Sequence, residues 1–248
     1  MDGRTNITRL FRNPAQLLVL ARVVPRPEAG VTRILVYGVA DGAEAVSLLA
    51  TFLPRDGTDV VVVGRDVDDE LLAAAEVGTY LPGHAPGGLP AAGEAVLERR
   101  RGGGWTVRPE HRGALRFERG DVHHAGADAA GAFDLVVCQN TFVLFDPPSI
   151  PPAVAGLAAH VAPGGILALG GGPLEVVPAA AAAAGLEPVL DDVELVHEGW
   201  EVQRAFWSNP VRPPWALEPF DPTHPEAPVR YATLFRRAVG TPLAAPAS

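Results

Sequence analysis

The chain has 248 residues with 29 acidic and 20 basic side chains, a formal net charge of −9 and one cysteine, Cys138. That charge excludes a phosphate-tracking surface, so no nucleic-acid partner is expected, and the single cysteine excludes a disulfide framework, as in a reducing, cytoplasmic compartment. Every basic residue is arginine, which removes lysine bases and Schiff bases; no apolar run is long enough for a membrane span and the start MDGRTNITRLFRN has no signal-peptide core, so no membrane partner and no export are expected.

The length suits one α/β domain over residues 1–248. In chain order, residues 13–23 read as a helix with Leu17, Leu18, Val19 and Leu20 on its buried side. Residues 34–37 are a short apolar run that fits a strand buried on both faces. Glycines break it at 38–42, a helical apolar pattern follows over 43–52, and a second run at 60–63 ends at Asp66. Residues 71–76 give the next helix. Simple alternation then lapses over 79–113, read as an insertion: a Pro/Gly-rich stretch, a charged helix over 94–101, and strands at 105–108 and 115–117 bounding a hairpin. The run Arg99, Arg100 and Arg101 reads either as a solvated helix end or as an anion contact. The inner sheet resumes at 115–121 and continues at 133–139 and 165–169, and a helix over 179–184 stops at Gly185. Residues 187–196 and 200–207 are expected to pair antiparallel around a turn at 197–199. A proline- and aromatic-rich C-terminal extension spans 209–248, with one last strand at 230–236. The alternation predicts a Rossmann-like, doubly wound, mostly parallel sheet.

Chemistry concentrates in residues 33–68. Strand, glycine turn, helix, strand and acid form the unit that binds an adenosine-type ligand at the carboxyl end of a parallel sheet. The spacing G-x-G-x-x-G does not occur. G-x-x-D-G-x-E stands instead, running from Gly38 to Glu44. It suits a nucleoside with no pyrophosphate and an amino-acid tail to hold, as in S-adenosyl-L-methionine. Asp66 has two readings, ribose binding or capping of the helix that follows.

Several segments together resemble the CheR-type chemotaxis methyltransferases. NITRLFRNP resembles that family's N-x-T-x-F-F-R, with Asn6, Thr8, Phe11 and Arg12 in register. GVADGAEAVS resembles A-x-S-T-G-E-E-P-Y-S, GRDVDDELLAAAEVGTY resembles S-D-I-D-x-x-x-L-x-x-A-x-x-G-x-Y, and FDLVVCQNTFVLFD resembles F-D-x-I-x-C-R-N-V-x-I-Y-F-D. The resemblance implies a class I S-adenosylmethionine-dependent methyltransferase with a seven-stranded sheet. It places Glu44 on the cofactor's amino group, Asp66 on the ribose, and Asp121 and Val122 at the adenine. Gln139 and Asn140 fall at the end of the fourth sheet strand, and Asn6, Thr8 and Arg12 over the cofactor, with Arg12 also the candidate catalytic residue. Leu144 stands for the family's tyrosine and Gln139 for its arginine. The signature starts at residue 6, so the family's amino-terminal helical domain is not expected. These departures imply a small-molecule substrate, methylated on a carboxylate or hydroxyl oxygen. Two alternatives stay open: protein-glutamate methylation of chemotaxis type, and a non-methylating use or sensing of the same cofactor.

His123 and His124, read as strand neighbours, would face opposite ways and make no metal pair, so no metal is expected. One of them could serve as general base for a hydroxyl acceptor. Trp200, Trp207, Trp215 and Phe220 read equally as pocket lining or as packing of the tail.

Overall fold

A computed structural model describes residues 8–26, 30–53, 59–128, 131–200 and 217–240. Asn6, Trp207, Trp215 and, of the expected strand at 200–207, residues 201–207 lie outside the described residues. The first helix starts where its sequence permits: the Asn13 side chain accepts the Gln16 N–H at 3.1 Å and Pro14 takes the first helical position, opening α1 (Pro14–Val23). Four consecutive residues cannot share one helical face. Val19 and Leu20 are buried, whereas Leu18 is exposed.

The elements that follow are β1 (Val31–Tyr37), α2 (Ala43–Phe52), β2 (Asp59–Asp66) and α3 (Asp69–Val77), then β3 (Thr79–Tyr80), α4 (Ala91–Val96), β4 (Leu97–Arg99), β5 (Trp105–Val107), α5 (Pro109–Arg112) and β6 (Leu115–Arg119). After these come β7 (Phe133–Gln139), α6 (Ile150–His160), β8 (Val161–Gly170), α7 (Val177–Ala183), β9 (Leu186–Pro188), α8 (Val193–Glu198) and β10 (Leu234–Arg237).

Seven strands form one sheet in the order β6-β2-β1-β7-β8-β10-β9, with β10 antiparallel to both its neighbours and the other pairs parallel. The order reverses between β1 and β7, and ligands bind at such a switch point, outside the carboxyl ends of the strands. Helices cover both faces. Val46, Leu49 and Phe52 of α2 with Val19 and Leu20 of α1 fill one interior; Val154 and Leu157 of α6 with Ala181 of α7 fill the other. Each fully buried Val, Leu, Ile or Phe contributes about 1.5–3 kcal/mol, so these two layers hold the sheet edge rigid for the site above it.

The structure corrects four expectations. The charged helix over 94–101 ends at Val96, and Leu97–Arg99 is a strand; its charges lie on an exposed edge, where solvated side chains mimic a helix surface. The hairpin partners are β4 and β5, joined by β3 in a separate three-stranded sheet, while β6 pairs with β2 in the main sheet. Residues 193–198 are helical, and β9 pairs with β10, a partner about fifty residues away that a local hairpin signal cannot reveal. The last strand starts at Leu234, because Val229–Tyr231 forms a 3-10 turn in which Arg230 is clamped by Glu175 and Glu218 at 2.7 and 2.8 Å.

Trp200 is buried against Gly170, and Phe220 packs on Tyr231 with ring centroids 4.8 Å apart, so both act as packing residues. Among the described residues no helix is long and apolar enough to cross a membrane.

Candidate cofactor site

The parallel register brings one residue from each central strand to a common edge: Tyr37 pairs with Arg65 and Cys138, Asp66 with Arg119, and Gln139 with Gly170. Beyond that edge the turn 38–42 doubles back on itself. Gly38, Ala40 and Gly42 all have positive φ, at 68°, 49° and 84°. Gly38 is required twice over, since its φ disfavours any side chain and a Cβ there would collide with Thr141 Oγ1. Gly38 and Val39 donate their N–H groups to Arg65 O at 2.8 and 3.1 Å, pinning the turn to the end of β2.

Asp66 holds the same turn from its side chain. Its Oδ2 accepts the Ala40 N–H at 2.9 Å and its Oδ1 accepts the Asp68 N–H at 3.1 Å. The helix cap is a different residue: Asp68 accepts from Glu70 N at 2.9 Å and Leu71 N at 3.3 Å at the start of α3. Capping therefore does not account for Asp66. Each of its oxygens takes one backbone donor and keeps a lone pair that suits a vicinal diol. Val67 follows with an apolar side chain 45% exposed at the sheet edge, a flat apolar surface of the kind a purine covers. The sequence signal was an apolar residue directly after the acid.

Glu44 and Arg12 form the charged end of the site. Burial pushes the Glu44 carboxyl up to about 7, against the opposing pull of Arg12. Burial likewise lowers Arg12, whose charge is supported by Glu44 and Asp41. An amino-acid zwitterion matches this pair, with its ammonium toward Glu44 and its carboxylate toward the guanidinium. Arg12 is brought there by its own segment: Phe11, at φ 53°, donates its N–H to Ser47 Oγ on α2 at 2.8 Å. Cys138 lies nearby, its thiol pushed up to about 12 by burial, so it is an inert part of the wall.

On β7 the two neighbouring candidates diverge. Asn140 takes a left-handed conformation, φ 55°, bonds its N–H to Gly170 O at 2.8 Å, and buries its Nδ2 without a partner among the described residues. An unpaired buried donor at a ligand edge is what a bound acceptor group would satisfy. Gln139 turns the other way, donating to Gln16 Oε1 of α1 at 3.2 Å, and so belongs to the interior.

At the end of β6, Asp121 accepts the His123 N–H at 2.9 Å and lies 3.3 Å from His124 Nδ1, while Val122 is buried beneath. The histidines stand in a 3-10 turn, Val122–Asp128, and not in a strand, so the alternation argument does not apply to them. Among the described residues no cluster of three or more His, Cys, Asp or Glu could hold a metal ion. Thr8, half-buried, leads into the Arg12 segment. A cleft of about 350 Å³ is lined by Tyr37, Arg65, Glu118, Asp121 and His124.

Three of the four non-glycine residues with positive φ among the described residues, Phe11, Ala40 and Asn140, border the site. Such strain persists where surrounding structure over-determines it, commonly at ligand sites. The Gly38 cradle, the unpaired Asn140 donor and the Glu44–Arg12 pair together fit a nucleoside bearing an amino-acid tail. The sequence reading passed over Val67, Thr141 and Asp41; the acid inside the glycine turn was the available signal for the last.

Residues 6–181 match the family model for CheR methyltransferase, SAM binding domain. A chemotaxis protein methyltransferase of Listeria innocua is 28% identical over 178 residues, 67% of this chain and 64% of that protein. Chemotaxis protein methyltransferase 2 of Vibrio cholerae is 26% identical over 176 residues, 66% of this chain and 61% of that one. An uncharacterized 104.1 kDa protein of Rhodobacter capsulatus is 31% identical over 216 residues, 80% of this chain and 21% of that protein. The chain thus spans about a fifth to just under two thirds of the length of these relatives.

Proposed function

The chain belongs to the CheR methyltransferase family, and from that premise we propose that it transfers the methyl group of S-adenosylmethionine to a carboxylate or hydroxyl oxygen of a small molecule that brings its own hydrocarbon. The observation that carries this reading is Leu144. It follows Asn140 and Thr141 on the short turn after β7 and is 77% exposed, where the family resemblance places a tyrosine hydroxyl. An exposed leucine beside a polar site offers about 25 cal/mol per Å² to an apolar acceptor that covers it, and nothing to a solvated peptide carboxylate.

The sulfonium supplies an activated methyl, and its transfer is an in-line displacement that depends on alignment and desolvation. The protein's task is therefore positional. Arg12 and Glu44 fix the amino-acid tail, Asp66 and the Gly38 turn fix the nucleoside, and Asn140 offers a donor between cofactor and acceptor. His123 stacks on Phe145 at 4.1 Å, next to Leu144. It is the histidine on the acceptor side and the candidate base for a hydroxyl.

A second reading is protein-glutamate methylation of chemotaxis type, favoured by the names of the Listeria and Vibrio relatives. Incubation with S-adenosylmethionine and parallel panels of small acids, phenols and receptor-derived glutamate peptides, followed by mass spectrometry, separates the two. S-adenosylhomocysteine with a methylated small molecule supports the proposal. Preferred methylation of the peptides reverses it, and release of methylthioadenosine would mean that the cofactor's amino-acid side chain is used instead, by transfer or by internal cyclisation.

A further inference from the structure

Two side chains of the insertion, Tyr80 and His84, reach the cofactor turn. His84 ends the 3-10 turn Pro82–His84 after β3. Its Nε2 lies 2.8 Å from Asp41 Oδ2 and its Nδ1 3.3 Å from Leu81 O, and its ring stands edge-on to Tyr80 at 5.5 Å. Asp41 is central to the glycine turn. Its Oδ1 accepts the Ala43 N–H at 3.1 Å, at the first residue of α2, and its backbone carbonyl accepts the Tyr80 hydroxyl at 3.3 Å. The backbone of His84 adds a third tie, its carbonyl accepting the Leu10 N–H at 2.9 Å. Phe11 then bonds to Ser47, its ring filling the space over Gly93 of α4, and the next residue is Arg12.

We infer that His84 is a positioning residue for the cofactor's amino-acid tail: bonded to Asp41 and to Leu10, it joins the insertion, the glycine turn and the segment that presents Arg12 to Glu44. This inference rests on the cofactor site described above. The physical reason is competition for the guanidinium. Asp41 and Glu44 both act on Arg12 through space. The pair of His84 and Asp41 is only about one fifth exposed, 21% and 20%, so it is screened less than a surface contact. With its carboxylate committed to the imidazole and to Ala43, Asp41 leaves Arg12 to Glu44 and the ligand. Without His84, the freed carboxylate draws Arg12 toward the turn and away from the cofactor's carboxylate.

Two probes separate positioning from general support of the fold. S-adenosylhomocysteine carries the amino-acid tail, and methylthioadenosine shares the nucleoside without it. Calorimetry on the full chain should show His84→Ala weakening S-adenosylhomocysteine by about tenfold, the scale of one charge-assisted hydrogen bond. Methylthioadenosine should stay within about twofold, since its contacts do not pass through Arg12. His84→Gln, whose amide can donate to Asp41, should restore most of the loss, and Asp41→Asn in the His84→Ala background should recover part of it by removing the competing charge. His84→Leu keeps bulk against Tyr80 and gives the same contrast if alanine impairs folding. Equal weakening of both ligands, or of neither, overturns the inference. Failure of the wild-type protein to bind S-adenosylhomocysteine would instead overturn the cofactor site itself.

Discussion

Replacing Glu44 with glutamine should stabilise the cofactor-free domain and cost it the cofactor. The folded protein holds this carboxyl at about 7, raised from an ordinary 4.5, chiefly by burial. A raised carboxyl binds its proton more tightly in the folded state, so its contribution is fully present below pH 4.5 and is lost as pH rises to 7. The difference between 4.5 and 7 corresponds to a ceiling of about 3 kcal/mol at about 1.4 kcal/mol per unit. The attraction of Arg12 is already contained in the raised value, so no separate correction for it is due. Glutamine resembles the protonated acid and escapes the penalty: urea unfolding should find Glu44→Gln equal to wild type near pH 4.5 and more stable by up to about 3 kcal/mol at pH 8. Cofactor binding runs the other way, because an ammonium requires the carboxylate. Wild-type affinity should fall as pH drops below about 7, and the variant should lose both that dependence and about 1.5–3 kcal/mol of affinity. A variant less stable than wild type at pH 8, or wild-type affinity flat across pH 5.5–8, would refute the reasoning.

Three further outcomes separate neighbouring residues. Asp66→Ala should weaken S-adenosylhomocysteine and methylthioadenosine alike by about 1–3 kcal/mol, measured by calorimetry, whereas Asp68→Ala should lower unfolding stability by about 1 kcal/mol through the lost cap and leave both affinities unchanged. Arg12→Ala should discriminate between the same ligands, weakening the one with the amino-acid tail while sparing the other; equal loss would show that the guanidinium does not face the tail. Gly38→Ala, forced to adopt φ 68° with its methyl against Thr141, should abolish binding of both ligands in a protein whose circular dichroism is still that of a folded α/β domain.

The local pattern determined what local physics controls. Apolar runs at 34–37 and 60–63, the intervening glycines and the acid at 66 establish a strand-turn-helix-strand unit, because strand burial, left-handed turns and helix periodicity are properties of neighbours in sequence. The same locality explains why Glu44, Asp66 and Asn140 could be named from their motifs. Only tertiary structure decided which side of the edge each residue serves. Gln139 and Asn140 are adjacent, yet one is drawn into the interior by Gln16 and the other keeps a side-chain donor with no partner among the described residues. Pairing of β9 with β10 and the contact of His84 with Asp41 join residues 43 or more apart in the chain, with no periodic signal to announce them. Glu44 shows the division most clearly. Its identity as an acid at the start of a helix is written in the sequence, but its proton affinity is set by the burial and the Arg12 charge that folding assembles around it.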